Sequence, residues 1–234
     1  MEEKMVPIRN TAKIVGVLFI IATAASIASS PFLTSINSSN YLVDVSANGN
    51  QVLVGVFLAF VAAMASASIA IALYPTLKKY NEALALGALG FRLIEGVLYI
   101  VGIVGLISLL TVSQQSQLFR ILSIYPSYFQ TLGDSLLAGY HWVYYGGAVL
   151  AFCIGALMYY VIFYQTKLVP RWLSIWGLVG VAPLAIAALL VMFGVVAPLS
   201  ASQIVLALPI AVQEMALAVW LIIRGFNPSA IGHH

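Results

Sequence analysis

Six apolar runs, each long enough for a membrane-spanning helix, follow one another near 12–33, 51–76, 83–112, 133–164, 172–196 and 203–224. A helix rises about 1.5 Å per residue and must cross about 30 Å of hydrocarbon, so roughly 20 apolar residues suffice. No water reaches the backbone within lipid, and a segment of this length satisfies its own N–H and C=O groups only as a helix. The expectation is an all-α polytopic membrane protein: six transmembrane helices in one bundle, a single domain over 1–234. Hydrophobic residues make up 62% of the chain and charged ones 7%, against an apolar share of about 45–50% in soluble domains. The fourth run exceeds one crossing. Its start, with Asp134, is expected to project from the membrane or to form a separate short helix.

The basic residues collect between alternate runs. Lys4, Arg9, Lys13, Lys78, Lys79, Lys167, Arg171 and Arg224 fall on one side and Arg120 alone on the other. That positive-inside pattern predicts both termini cytoplasmic. It also explains the formal charge of +3 as topology, with no nucleic-acid partner. Lys4, Arg9 and Lys13 precede a run that ends in small residues such as Ala28 and Ser30, as in a signal peptide. The run is long for that, and reads as an uncleaved anchor. Tyr159, Tyr160 and Tyr164 are expected in an inner aromatic belt, and Tyr140, Trp142, Tyr144 and Tyr145 in an outer one.

Short connections at 77–82 and 167–171 predict two tight hairpins, runs two with three and four with five. The longer segments 34–50 and 113–132 are polar and read as outer loops, each a lid or a plain connection. At a 90-residue offset, Tyr74, Thr76, Gly87, Gly90 and Asp44 match Tyr164, Thr166, Gly177, Gly180 and Asp134. Either a hairpin was duplicated or tight turns selected these types independently, and the second reading is preferred.

Residues 73–110, LYPTLKKYNEALALGALGFRLIEGVLYIVGIVGLISLL, resemble the signature of a bacterial and archaeal membrane family catalogued as a domain of unknown function (DUF 4386). Residues 168–180, LVPRWLSIWGLVG, resemble a second pattern of that family. The resemblance implies six spans and a cell-membrane location. It implies no activity, so no site residue carries over from it.

Arg92 and Glu95 lie within the third run and Glu214 within the sixth. A charge at the centre of a spanning helix costs about 2.5–3.5 kcal/mol on insertion scales, so a tolerated one faces a partner or a cavity. At about 100° per residue, Arg92, Glu95, Gly96 and Tyr99 share one face. Gly96 would let another helix approach closely. Arg92 lies roughly 14 Å from Ala83, and Glu214 about 15 Å from Arg224, so the three charges are expected at one depth. Two carboxylates against one guanidinium leave a surplus of −1, to be met by a proton, water or a cation. The candidate ligand-binding residues are Arg92, Glu95, Tyr99, Gln213 and Glu214. The alternative is an ion bridge between helices that sets the register of the bundle. Pro183 and Pro209 each remove a backbone donor inside a run, which suits either bent cavity-lining helices or plain packing.

A second cluster comprises Asp134, His141, Tyr144 and Tyr145. Asp134 and His141 are two helical turns apart, the spacing of an Asp-oriented general base. Ordinary interfacial packing of His and Tyr is the preferred reading of the cluster. No HExxH, GxSxG, P-loop or GxGxxG motif occurs, and no metal site or cofactor is expected. The lone Cys153 reads as a packing residue. His233 and His234 end the chain, and their sequence does not tell whether they are native.

Three functions follow, in order of preference. The first is a small transporter or ligand-binding membrane protein for a polar, anionic or amphipathic ligand, with a proton or cation. Next comes a scaffold or accessory subunit, and last an intramembrane enzyme on a lipid-like substrate using His141 and Asp134. The balance leans away from an enzyme. Membrane lipids are the expected surroundings, and small residues on nearly every run leave homo-oligomerisation open.

Overall fold

The computed structural model describes residues 2–121 and 126–231. His233 and His234, together with the side chains of Lys4 and Arg120, lie outside the described residues. Six helices are long and apolar enough to cross a membrane, and the protein is a multi-pass membrane protein. The spans belong to α1 (Glu2–Ser29) with its 3₁₀ continuation Ser30–Asn37, α3 (Gly49–Leu77) and α4 (Glu82–Ile121), preceded on the chain by the short α2 (Tyr41–Ala47) in the case of α3. After α4 come α5 (Pro126–Tyr140), a π-helical stretch His141–Gly147 and α6 (Ala148–Thr166), which together form the fourth span. The chain continues as α7 (Arg171–Met192), α8 (Ala201–Ile223) and a final turn α9 (Pro228–Ile231).

The spans form a closed ring. Each packs on its neighbours in chain order, and α8 returns to pack on α1. In lipid the hydrophobic effect does not press helix on helix, so close contact through small residues must do it. Gly16 on α1 is one such point: a Cβ there would stand 2.7 Å from the Ala218 carbonyl oxygen on α8. Large apolar side chains accordingly point outward, as do Ile14, Phe57, Val97 and Val179.

Both predicted hairpins form. Asn81 ends the first turn and caps α4, its Oδ1 accepting from the Leu84 N–H at 3.0 Å. In the second, Lys167 closes α6 in a left-handed conformation with φ 57°, and Pro170 precedes α7. Each hairpin stacks a basic side chain on its interfacial tyrosine: Lys78 on Tyr74 at 5.5 Å and Arg171 on Tyr164 at 5.3 Å. The matched glycines do not share surroundings. A Cβ at Gly180 would meet the Ile210 backbone at 3.4 Å, whereas one at Gly90 would meet nothing within 4 Å. Hydrogen bonds tie the basic ends together, from Tyr80 Oη to the Ala230 carbonyl and from the Asn227 N–H to the Leu168 carbonyl. We call this end of the bundle the basic face.

Three expectations need correction. First, segment 113–132 is largely helical. The α4 helix has 40 residues, about 60 Å of rise, twice the hydrocarbon thickness. It runs on beside α5, with Phe119 and Phe129 stacked at 5.4 Å. Second, segment 34–50 is a packed cap: Ile36, Tyr41, Leu42 and Val45 are buried against α4 and the neighbouring spans. Tyr41 donates to Asp134 Oδ1 at 2.6 Å. Burial and that carboxylate hold its phenol above the ordinary range, which keeps it a donor. Third, Tyr140, Tyr159 and Tyr160 are buried inside the bundle and form no belt. Only Trp142 and Tyr164 among the expected belt residues are exposed. The prolines leave their helices continuous, since α7 runs through Pro183 and α8 through Pro209.

Candidate functional site

Two apolar clusters fill the ring, one centred on Leu73, Tyr160 and Leu217 and the other on Val45, Leu106 and Tyr140. Arg92 and Glu95 sit on α4 between Ala88 of the first and Ile103 of the second. Arg92 is 1% exposed and Glu95 2%. Glycine makes room for the arginine, because a Cβ at Gly155 on α6 would lie 3.1 Å from Arg92 Cγ. The guanidinium lies over the Phe152 ring at 4.7 Å, and Nη1 reaches Glu95 Oε2 at 3.0 Å. The pair is held by proximity, since neither atom makes an aligned hydrogen bond. Glu95 Oε1 accepts from Ser66 Oγ on α3 at 2.8 Å. As expected, Gly96 faces a neighbouring helix, with Ala67 and the Ala63 carbonyl of α3 beside it.

These groups form one wall of a cavity of about 250 Å³ enclosed by all six spans. Tyr99 lines it next to Glu95, and Tyr144 joins it, with ring centroids 4.6 Å apart. Glu214 reaches the same cavity from α8, close enough to Arg92 for electrostatic interaction. Two polar atoms on this wall are buried and unpartnered: Arg92 Nε and Glu214 Oε1. A water occupies about 30 Å³ in the liquid, so the cavity has room for several.

Gln213 behaves differently. Its side chain is fully buried away from the cavity, where it accepts from Tyr160 Oη at 2.5 Å and donates to the Leu173 carbonyl at 2.9 Å. It clamps α6, α7 and α8 together. Gln213→Leu is expected to cost about 1–3 kcal/mol, because Tyr160 Oη and the Leu173 carbonyl lose their partner. The readout is the melting temperature in detergent, and a variant that melts with the parent would show that water replaces the clamp.

Asp134 and His141 are not brought together. Asp134 Oδ1 accepts from Tyr41 Oη and from Gln130 Nε2 at 2.9 Å. His141 lies against the Tyr140 and Tyr145 rings at 5.6 and 6.1 Å. Its buried Nε2 has no hydrogen-bond partner, and it borders a separate pocket with Ile36, Ser38 and Leu199. An oriented general base needs the carboxylate on the imidazole, and here the carboxylate serves the α2 cap.

The model of a family described as a domain of unknown function (DUF4386) matches residues 14–225. The chain belongs to the DUF4386 family. No curated protein and no solved structure matches it. In this DUF4386 protein the polar wall therefore has to be read from its own chemistry.

The wall offers one buried ion pair, a second carboxylate and two phenol rings to a cavity whose other lining is mostly apolar. Such a set can bind a charged group or exchange a proton. Ser66, Tyr144 and Phe152 belong to this wall; Ser66 and Phe152 were missed by sequence reasoning, and Tyr144 was assigned to the cluster of Asp134 and His141. Ser66 is one small residue in a stretch of them, AAMASASIA. Tyr144 reaches the wall through the wide π-helical turn, a feature over-represented at functional sites that apolar periodicity does not reveal. The adjacent Gly146 and Gly147 were the available hint.

Proposed function

We propose that this protein is a small transporter or ligand-binding protein of the cell membrane, with its binding site at Arg92, Glu95, Tyr99 and Glu214. The observation that carries the reading is the pair of buried, unpartnered atoms on one open cavity, Arg92 Nε and Glu214 Oε1. An ionisable group inside a membrane is a functional candidate, and one left without a partner needs something else to meet it. The Arg92–Glu95 pair lies within a single helix. Its tie to another helix is the Ser66 hydrogen bond to Glu95 and not a second charge, which counts against an ion bridge between helices. The gathering of Lys13, Lys78, Lys79, Lys167, Arg171 and Arg224 near one face supports cytoplasmic termini.

A high-resolution map of the protein in a lipid nanodisc tests this reading. The expected result is ordered non-protein density beside Arg92 and Glu214. A closed, dry contact among the three side chains would overturn it and leave the charges a purely structural role.

A further inference from the structure

The cavity has a charge balance and a mouth, and together they specify an occupant. Arg92 has Glu95 at 3.0 Å, so its charge is met within α4. Among the described residues Glu214 has no salt bridge, and its Oε1 no hydrogen bond. The remaining titratable groups nearby are the phenols of Tyr99, Tyr144, Tyr159 and Tyr160 and the thiol of Cys153. The surplus carboxylate thus sits on α8. Aromatic rings share its cavity: Phe19 on α1, Tyr99 on α4 and Tyr144 in the π-helical turn all line it. A carboxylate and aromatic rings on one cavity make an environment that attracts organic ammonium groups.

The mouth lies between α1 and α8. These helices touch at Gly16, where the Ala218 carbonyl and Ile222 crowd the position of a Cβ. Further from the basic face both helices border the cavity, through Thr23, Ser26 and Ile27 on α1 and Ala207 and Ala211 on α8. Ser26 and Ile27 are its exposed lining residues, Ile27 at 66%. Ile27 is about 21 Å along α1 from Lys13, and Ala211 about 20 Å along α8 from Arg224. Both positions fall within a hydrocarbon layer about 30 Å thick. The opening faces lipid.

We propose that the cavity takes an amphipathic organic cation from the lipid phase, with its ammonium group against Glu214 and its apolar tail leaving between α1 and α8. This rests on the binding-site reading above and adds the chemical class and the route. A free aqueous ammonium ion shares the head-group chemistry, and the probes separate the two sources.

The test uses the full chain in phosphatidylcholine nanodiscs and labelled dodecyltrimethylammonium, with tetramethylammonium and dodecylsulfonate as competitors. Saturable binding is expected. Glu214→Gln weakens it at least tenfold, and so does Ala211→Trp, which fills the mouth and serves should the first variant not fold. Neither competitor displaces the probe at equal concentration. Displacement by dodecylsulfonate, or cation binding indifferent to Glu214→Gln, would overturn the charge assignment. Equal displacement by tetramethylammonium would overturn the lipid route. If the probe fails to bind while the nanodisc map shows an occupant beside Glu214, the cation class falls and the binding site stands. A dry site in that map removes both.

Discussion

Arg92→Met destabilises the protein by about 3–5 kcal/mol, the usual result of leaving one member of a buried pair without the other. The substitution keeps the packing volume against Phe152 and Gly155 but strands the Glu95 carboxylate 2% exposed. Ser66 then remains the one hydrogen-bond donor to Glu95. The second carboxylate, Glu214, loses its nearby cation as well. Adding Glu95→Leu removes the stranded charge and restores most of the loss, since a buried pair exchanged for apolar residues is often neutral or better. Denaturation in mixed detergent micelles measures both variants against the parent. If Arg92→Met unfolds with the parent, the pair is solvated and its burial carries no energetic weight. The double variant also separates stability from function, because it should fold yet present an altered site.

Gly16→Leu has the second largest expected effect. A Cβ at this position already stands 2.7 Å from the Ala218 carbonyl oxygen and 2.7 Å from Ile222 Cγ1. The first of these is backbone, which no rotamer change can move, so α1 and α8 must separate. Overpacking of this kind costs about 1–3 kcal/mol, occasionally more. Here it falls on the seam that closes the ring, and loosening of α1 is expected to expose the backbone of its middle turns to hydrogen exchange. Gly90→Ala is the matched control, because nothing lies within 4 Å of the added carbon. It should leave stability unchanged within about 1 kcal/mol. Equal melting of Gly16→Leu and Gly90→Ala would mean that α1 and α8 are not in backbone contact.

Much of the candidate site was legible because it rests on rare residues. Charges are so costly inside an apolar run that Arg92, Glu95 and Glu214 stood out against their neighbours, and the rise of a helix placed them at one depth. Gln213 shows the limit of that argument. It adjoins Glu214 in sequence, but one residue along a helix turns the side chain by about 100°. That rotation sends Gln213 into the contact with Tyr160 and Leu173, away from the cavity. Asp134 and His141 failed for a related reason. Their spacing allowed a common face, but Tyr41, 93 residues from Asp134, captured the carboxylate. Tyr140, Tyr159 and Tyr160 were misplaced because composition says only that Tyr favours interfaces. Burial of Tyr159 and Tyr160 was decided by which face of α6 turns inward.

The sequence by itself determined the six spans, the two hairpins and the gathering of positive charge near one face. Each follows from a local cost: an unsatisfied backbone in lipid, a short connection, or a basic residue in hydrocarbon. The closure of the ring by α8 on α1, the cavity shared by the charges of α4 and α8, and the Glu214 Oε1 left without a hydrogen bond come from the packing of the helices alone. These depend on how each helix is rotated about its axis, and a helix apolar on all sides carries little periodic signal to set that rotation. Packing against small residues such as Gly16, Gly96 and Gly155 sets it instead.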